Sequence, residues 1–235
     1  MRRGWLIIVA LLTWNGAARA QRTGVGDAQA QTQRCRDLFE DGDYAKAEQA
    51  CVAALRRDAS YVEAWKLYLT TLIIERKEEK AIDEATRAEE TLAIRDASVF
   101  ALHGAAILQA VNRPAVDPKT QQPNKWAKQS ARALPYLERA GALNREESTN
   151  LLVSLAWIHY NHKHYPDAQT IAEQVLRLRP NFQNSLRAKL VIGLSQAQRG
   201  DCVSARRILE PLQKEPGDHS LVDRGLALCA PPQAK

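Results

Sequence analysis

The chain predicts an all-α fold, a solenoid of two-helix units, on three observations. A turn followed by a small residue, Gly42-Asp43-Tyr44 and then Ala47, is echoed by turn-plus-alanine signals near residues 81, 168 and 205. The segments between these signals place apolar residues three and four apart, the spacing of one helix face. The alanines that open the second helices, Ala47, Ala81, Ala133, Ala168 and Ala205, are separated by 34, 52, 35 and 37 residues, which is one period with one large insertion. A two-helix unit cannot bury its apolar face alone, so successive units must stack.

The N-terminus is a separate object. Arg2 and Arg3 form a charged start, Trp5 to Leu12 an apolar run, and Ala18-Arg19-Ala20 a small-x-small site, together the pattern of a secretory signal peptide over residues 1–20. Arg2-Arg3-Gly4-Trp5-Leu6 also has the outline of a twin-arginine signal, with Trp5 where that motif prefers Phe. The apolar run is shorter than the roughly 20 residues of a membrane-spanning helix, and no later run exceeds it, so no integral membrane segment is expected after cleavage. Residues 21–27 read as a flexible lead-in.

In the first unit, Gln29 to Glu40 and Ala45 to Arg56 are helical by period, broken at Gly42 and Asp43. In the second, Trp65, Tyr68, Leu69 and Leu72 stripe the first helix, and Ala81, Ala85 and Ala88 stripe the second. The third has Phe100 and Gly104 in its first helix and Ala133 to Leu137 opening its second. Between them Pro114, Pro118 and Pro123 make residues 112–124 an exposed loop, either functional or a tolerated insertion. Tyr165, Ala168 and Pro180 mark the fourth unit, and Gly193, Gly200, Asp201 and Ala205 the fifth. Asp218 to Cys229 is one more amphipathic helix, stopped by Pro231 and Pro232 in a tail over 231–235.

These residues carry a resemblance to the tetratricopeptide repeat family, in an exported bacterial form. Its unit of about 34 residues has a large apolar residue early in the first helix, a small one a turn later and alanines in the second. The resemblance implies a right-handed superhelical domain over residues 28–230, about five repeats with the last helix as a cap. It also implies a protein-binding scaffold with no enzymatic activity and no cofactor.

Cysteine spacing is read from the turns. Cys35 and Cys51 each lie eight residues from Asp43, and the midpoint of Cys202 and Cys229 falls beside Pro216. Antiparallel helices bring such equidistant residues to equal height, so Cys35–Cys51 and Cys202–Cys229 are the expected disulfides of an exported protein, against four free buried thiols.

Composition excludes several partners. The formal charge is +6, but Arg2, Arg3 and Arg19 belong to the signal, which leaves 30 basic against 27 acidic side chains. Without a basic stripe, nucleic acid is not expected. No Gly-x-Ser-x-Gly, phosphate loop or His-Glu-x-x-His is present. Glu75, Glu78, Glu79, Asp83 and Glu84 alternate with Arg76, Lys77, Lys80 and Arg87 as a solvated helix face, with Asp83 and Arg87 at pairing distance.

The resemblance places a partner-binding groove on the first helices. Its lining would be Arg36, Phe39 and Glu40, then Lys66, Thr70 and Ile73, then Ala105 and Leu108. It continues with Val153, Trp157, Tyr160 and Asn161, then Arg187 and Leu190. Lys66 matches a position of the family's carboxylate clamp, but Thr70 stands where an Asn belongs, so that function is not carried over. His159, His162 and His164 have ligand-like spacing and suggest metal handling as an alternative; His159 stands where the family has a packing aromatic. The expected role is a monomeric adaptor in the cell envelope, binding a protein and aiding assembly of a larger machine, or else regulating a peptidoglycan-synthesising enzyme. N-terminal sequencing of the exported chain should begin at Gln21; retention of Met1 would remove the signal-peptide reading.

Overall fold

The computed structural model describes residues 26–114, 123–126, 129–179, 185–216 and 219–230. The expected signal segment, most of the expected lead-in, the middle of the insertion and the expected tail lie outside them. The first helix, α1, is already formed at 26 and runs to 40, so the last two residues of the expected lead-in are helical; α2 (Tyr44–Arg57) follows. Then come α3 (Val62–Ile74), α4 (Glu78–Thr86) extended by a wide turn over Arg87–Thr91, and α5 (Ala97–Val111). A short 3-10 turn, Ser130–Ala133, leads into α6 (Leu134–Asn161), and α7 (Tyr165–Leu178), α8 (Ser185–Gln198), α9 (Cys202–Leu212) and α10 (Ser220–Leu228) complete the array.

One backbone device reverses the chain inside four of the units. At Gly42, the Asp43 amide donates to Leu38 O at 2.9 Å and the Gly42 amide to Phe39 O at 3.1 Å, the paired bonds that close a helix on a left-handed residue. The same pair recurs at Arg76, Lys163 and Gly200, and the four φ values are +79°, +61°, +62° and +80°. The next helix starts at once: Asp43 and Asp201 cap α2 and α9 by accepting from the Lys46 and Ser204 amides.

α6 is two helices in sequence. Asn144 is extended (φ −154°, ψ 94°), and its side chain accepts from the Glu147 amide at 3.1 Å, so it caps the helix that follows. The residues before it are the second helix of unit three, and those after it the first helix of unit four. Ser148 staples the junction, donating to Ala140 O and Asn144 O.

The core runs along the array. α5 is its centre, with every residue from Ala97 to Ala110 buried while it packs on α3, α4, α6 and α7. Its small residues permit this crowding: a Cβ on Gly104 would sit 2.7 Å from Leu137 Cδ2. A smaller cluster of Ala197, Ala205, Leu209, Leu212, Val222 and Cys229 closes the C-terminal end against α10. The two disulfides form as the spacing indicates, Cys35–Cys51 and Cys202–Cys229, each with Cα atoms 5.2 Å apart. Cross-links over loops of this length stabilise by about 3 kcal/mol each.

Two surface expectations are corrected. Arg87 pairs with Glu84 at 2.7 Å rather than with Asp83, and Glu78 is 5% exposed, held by Arg113 through bonds of 3.0 and 2.6 Å. The face read as solvated is thus partly an interface between units two and three. Of the insertion over 112–124, the described Asn112, Pro114 and Pro123 are exposed, while Arg113 and Asn124 are half-buried and the chain after it packs inward. Asn124 donates to Ala110 O and Arg113 O, and Trp126 is buried beneath the Arg132 guanidinium.

A left-handed conformation costs an L-residue about 1 kcal/mol and glycine almost nothing. Lys163→Gly should therefore stabilise by about 0.5–1 kcal/mol, and Gly42→Ala should destabilise by about 1 kcal/mol. Urea unfolding of both variants measures the pair of opposite signs.

Candidate functional site

Contacts that skip a unit define the inner face. The Lys66 ammonium on α3 donates to Glu147 Oε1 on α6 at 2.8 Å and lies 3.4 Å from Asp96, while Ser98 on α5 donates to the same Glu147 oxygen at 2.7 Å. The first helices of units two, three and four therefore meet on the inside of the arc. At the opposite end of the helices, the turns converge. Tyr44 of unit one hydrogen-bonds His162 Nε2 of unit four at 2.9 Å, and Arg76 of unit two pairs with Asp167 of unit four at 3.0 Å.

At the Lys66–Glu147 end lies an open cleft of about 540 Å³, lined by Lys66, Ser98, Asn144, Glu146, Glu147, Asn150, Leu151 and Ser154. Asn150, Ser154, Trp157 and Asn161 form one stripe along α6 at helical spacing. The stripe passes from the polar cleft to aromatic surface. Trp157 and Tyr160 are half-buried and meet edge to face with ring centroids 5.7 Å apart, and Tyr160 continues to Tyr165 at 5.6 Å.

The expected lining is only partly on this surface. Ile73 and Leu108 are 0% and 4% exposed, and Ala105 and Val153 are equally enclosed, so these four are core rather than groove. The cause is the tight packing around α5, which occupies the space a wider arc would leave open. Thr70 turns its hydroxyl onto Lys66 O of its own helix. Two cations of that lining are engaged: Arg36 pairs with Glu63 at 2.6 Å, and Lys66 lies between Glu147 and Asp96. Phe39 is half-buried against Tyr44 at 5.2 Å; Glu40, Asn161 and Arg187 are exposed, and Leu190 is half-buried.

The histidines regroup. His162 is exposed and occupied by Tyr44, whereas His159 and His164 are joined by Asp167, with ligand atoms of all three within 4.8 Å of one another. Sequence spacing suggested His162 and missed Asp167, because only the backbone of the Lys163 turn shows which side chains point inward. Burial holds the His159 imidazole down at about 3, and the neighbouring His164, Arg76 and His162 act in the same direction. His164 is lowered by burial and by Arg76, while burial raises Asp167 against the opposing pull of Arg76.

No protein-family model matches the chain, and no curated protein matches it in sequence. Solved structures do. A thermophilic tetratricopeptide-repeat protein of Thermus thermophilus is similar with a TM-score of 0.51 at 15% identity, over 86% of this chain and 98% of that one. The fold is that of the tetratricopeptide-repeat proteins. PilF of Pseudomonas aeruginosa is similar with a TM-score of 0.48 at 19% identity, over 88% of this chain and 82% of that one. YrrB, a tetratricopeptide-repeat protein with an unusual peptide-binding site, has a TM-score of 0.42 at 19% identity, over 88% of this chain and 95% of that one. Within this tetratricopeptide-repeat architecture, the stripe on α6 belongs to the first helix of unit four and His164 to the turn that follows it.

The buried neutral His159 makes stability depend on pH. Its folded value, about 3, lies below the ordinary 6.5, so the unfolded chain binds the proton more readily and stability falls as pH drops from about 6.5 toward 3. Between pH 7 and pH 5 the loss should reach about 2 kcal/mol, and His159→Phe should remove most of it. Urea titrations at the two pH values, with a chelator present, give the difference directly.

Proposed function

We propose that this protein is a non-enzymatic adaptor of the bacterial cell envelope that holds a segment of a partner protein along the inner face of units two to four. The observation that carries this reading is the α6 stripe, where a polar cleft beside Lys66, Ser98 and Glu147 runs into the half-exposed Trp157–Tyr160 pair. Large aromatics of this kind anchor partners because they desolvate much apolar area while losing few rotamers. The polar groups beside them then set register and direction. A helix or extended peptide is the occupant such a cleft fits, and an assembled envelope machine is the setting in which an exported adaptor would act.

Support for the compartment comes from the N-terminal pattern of charged start, apolar run and Ala18-Arg19-Ala20, and from the two disulfides, which persist where the surroundings are oxidising. No helix among the described residues is long and apolar enough to cross a membrane. The domain limits follow the same reading: a signal over 1–20, the repeat domain over 28–230 and a short tail.

Trp157→Ala removes the anchor while leaving the four units' turns and the α5 core intact. Capture of partners from an envelope extract by the variant should fall at least tenfold, with its melting temperature within a few degrees of the parent. A large drop in melting temperature would make Trp157 a packing residue and end the groove reading.

A further inference from the structure

We propose that His159, His164 and Asp167 form a buried binding site for a borderline divalent transition metal, with zinc as the preferred ion. The three residues come from one turn and its flanks: His159 from the last turn of α6, His164 from the position before α7, and Asp167 from its first turn. Their ligand atoms lie within 4.8 Å of one another. Two imidazole nitrogens and a carboxylate oxygen make a three-ligand set for zinc, with the fourth tetrahedral position left to water.

A second, independent observation points to a ligand at this place. His159 is 0% exposed, and neither of its ring nitrogens has a hydrogen-bond partner; the buried Nδ1 of His164 has none either. Buried polar groups are normally satisfied, so two imidazoles with open nitrogens facing one small space are an exception that a coordinated cation would resolve. Backbone geometry holds them there. Lys163 is left-handed, and the His164 amide donates to His159 O at 2.9 Å, which sets the two rings 5.8 Å apart.

Asp167 is already engaged. Asn112 donates to its Oδ1 at 3.1 Å, and the Arg76 guanidinium lies 3.0 Å from its Oδ2. Arg76 thus supplies the positive charge that a metal would bring. The same guanidinium is 3.8 Å from Glu78 and its side chain is 29% exposed, so it has both a second carboxylate and solvent to turn to. Metal and Arg76 compete for one oxygen of Asp167, and the site is tuned weaker than its ligand set alone would make it. Asn112 keeps the carboxylate oriented in both states, as a neighbour hydrogen-bonded to a ligand does.

The site sits where unit four meets the turns of units two and three, so occupancy would detach Arg76 from unit four while fastening α6 to α7. Titration of the untagged, chelator-stripped, disulfide-bonded protein with Zn2+, Ni2+ and Cu2+ in turn tests the proposal by calorimetry and thermal shift. One equivalent of Zn2+ should bind with a dissociation constant in the micromolar range or below. His159→Phe and Asp167→Asn should each weaken it at least tenfold, Arg76→Gln should tighten it, and His162→Ala should leave it within about threefold. Circular dichroism identifies a variant that has unfolded; if His159→Phe does so, the opposite effects of Asp167→Asn and Arg76→Gln decide. No saturable binding below about 100 µM of any of the three ions overturns the site. So does binding that His162→Ala abolishes, since that marks adventitious chelation by the exposed turn.

Discussion

Where the paired hydrogen bonds around a left-handed residue reverse the chain, at Gly42, Arg76, Lys163 and Gly200, two helices are obliged to run antiparallel with almost no connecting loop. Much else depends on that constraint. It brings Cys35 and Cys51 to one height, so that they can be bonded. It leaves each second helix to start immediately, capped by Asp43 in unit one and by Asp201 in unit five. It also puts the turns of successive units at one end of the molecule, where Tyr44 reaches His162 and Arg76 reaches Asp167.

Packing then decides how far the units curl. α5 is buried from Ala97 to Ala110 because Ala101, Gly104, Ala105 and Ala106 let four other helices approach it. Small side chains in the central helix mean short interhelical distances, and short distances bring units two and four together across unit three. The Lys66–Glu147 pair is the visible result, and it turns a residue that would be a free cation in a wider arc into part of a neutralised cleft. The usable inner surface shrinks accordingly to the polar cleft and the aromatic end of the α6 stripe.

Charge and shape are coupled at the turn end. Asp167, Arg76, Arg113 and Glu78 form a chain of ion pairs linking units two, three and four, and each of these side chains is engaged with more than one partner. Buried carboxylates such as Asp167 and Glu78 are costly unless paired, so the chain favours one relative placement of the units over neighbouring ones. His159 lies beside it without a share in the hydrogen bonding.

The repeat period, the turns inside the units and the cysteine pairing were legible in the residues because each is a local matter, a turn or a spacing within some thirty positions of itself. Gly42 and Gly200 announced their turns. Arg76 and Lys163 adopt the same backbone without a glycine and were found only through the alanines that follow them. Asn144, which divides α6, was hidden because an Asn cap inside an otherwise helical stretch differs little from a solvent-facing Asn. The enclosure of Ile73 and Leu108, the pairing of Lys66, and the grouping of His159 and His164 with Asp167 were decided by the tertiary structure. Lys66 meets its partner 81 residues away and Tyr44 meets His162 118 residues away. Distances of that kind are set by the sum of small rotations between stacked units, and a sequence encodes each rotation only through the packing of side chains that its local pattern leaves unspecified.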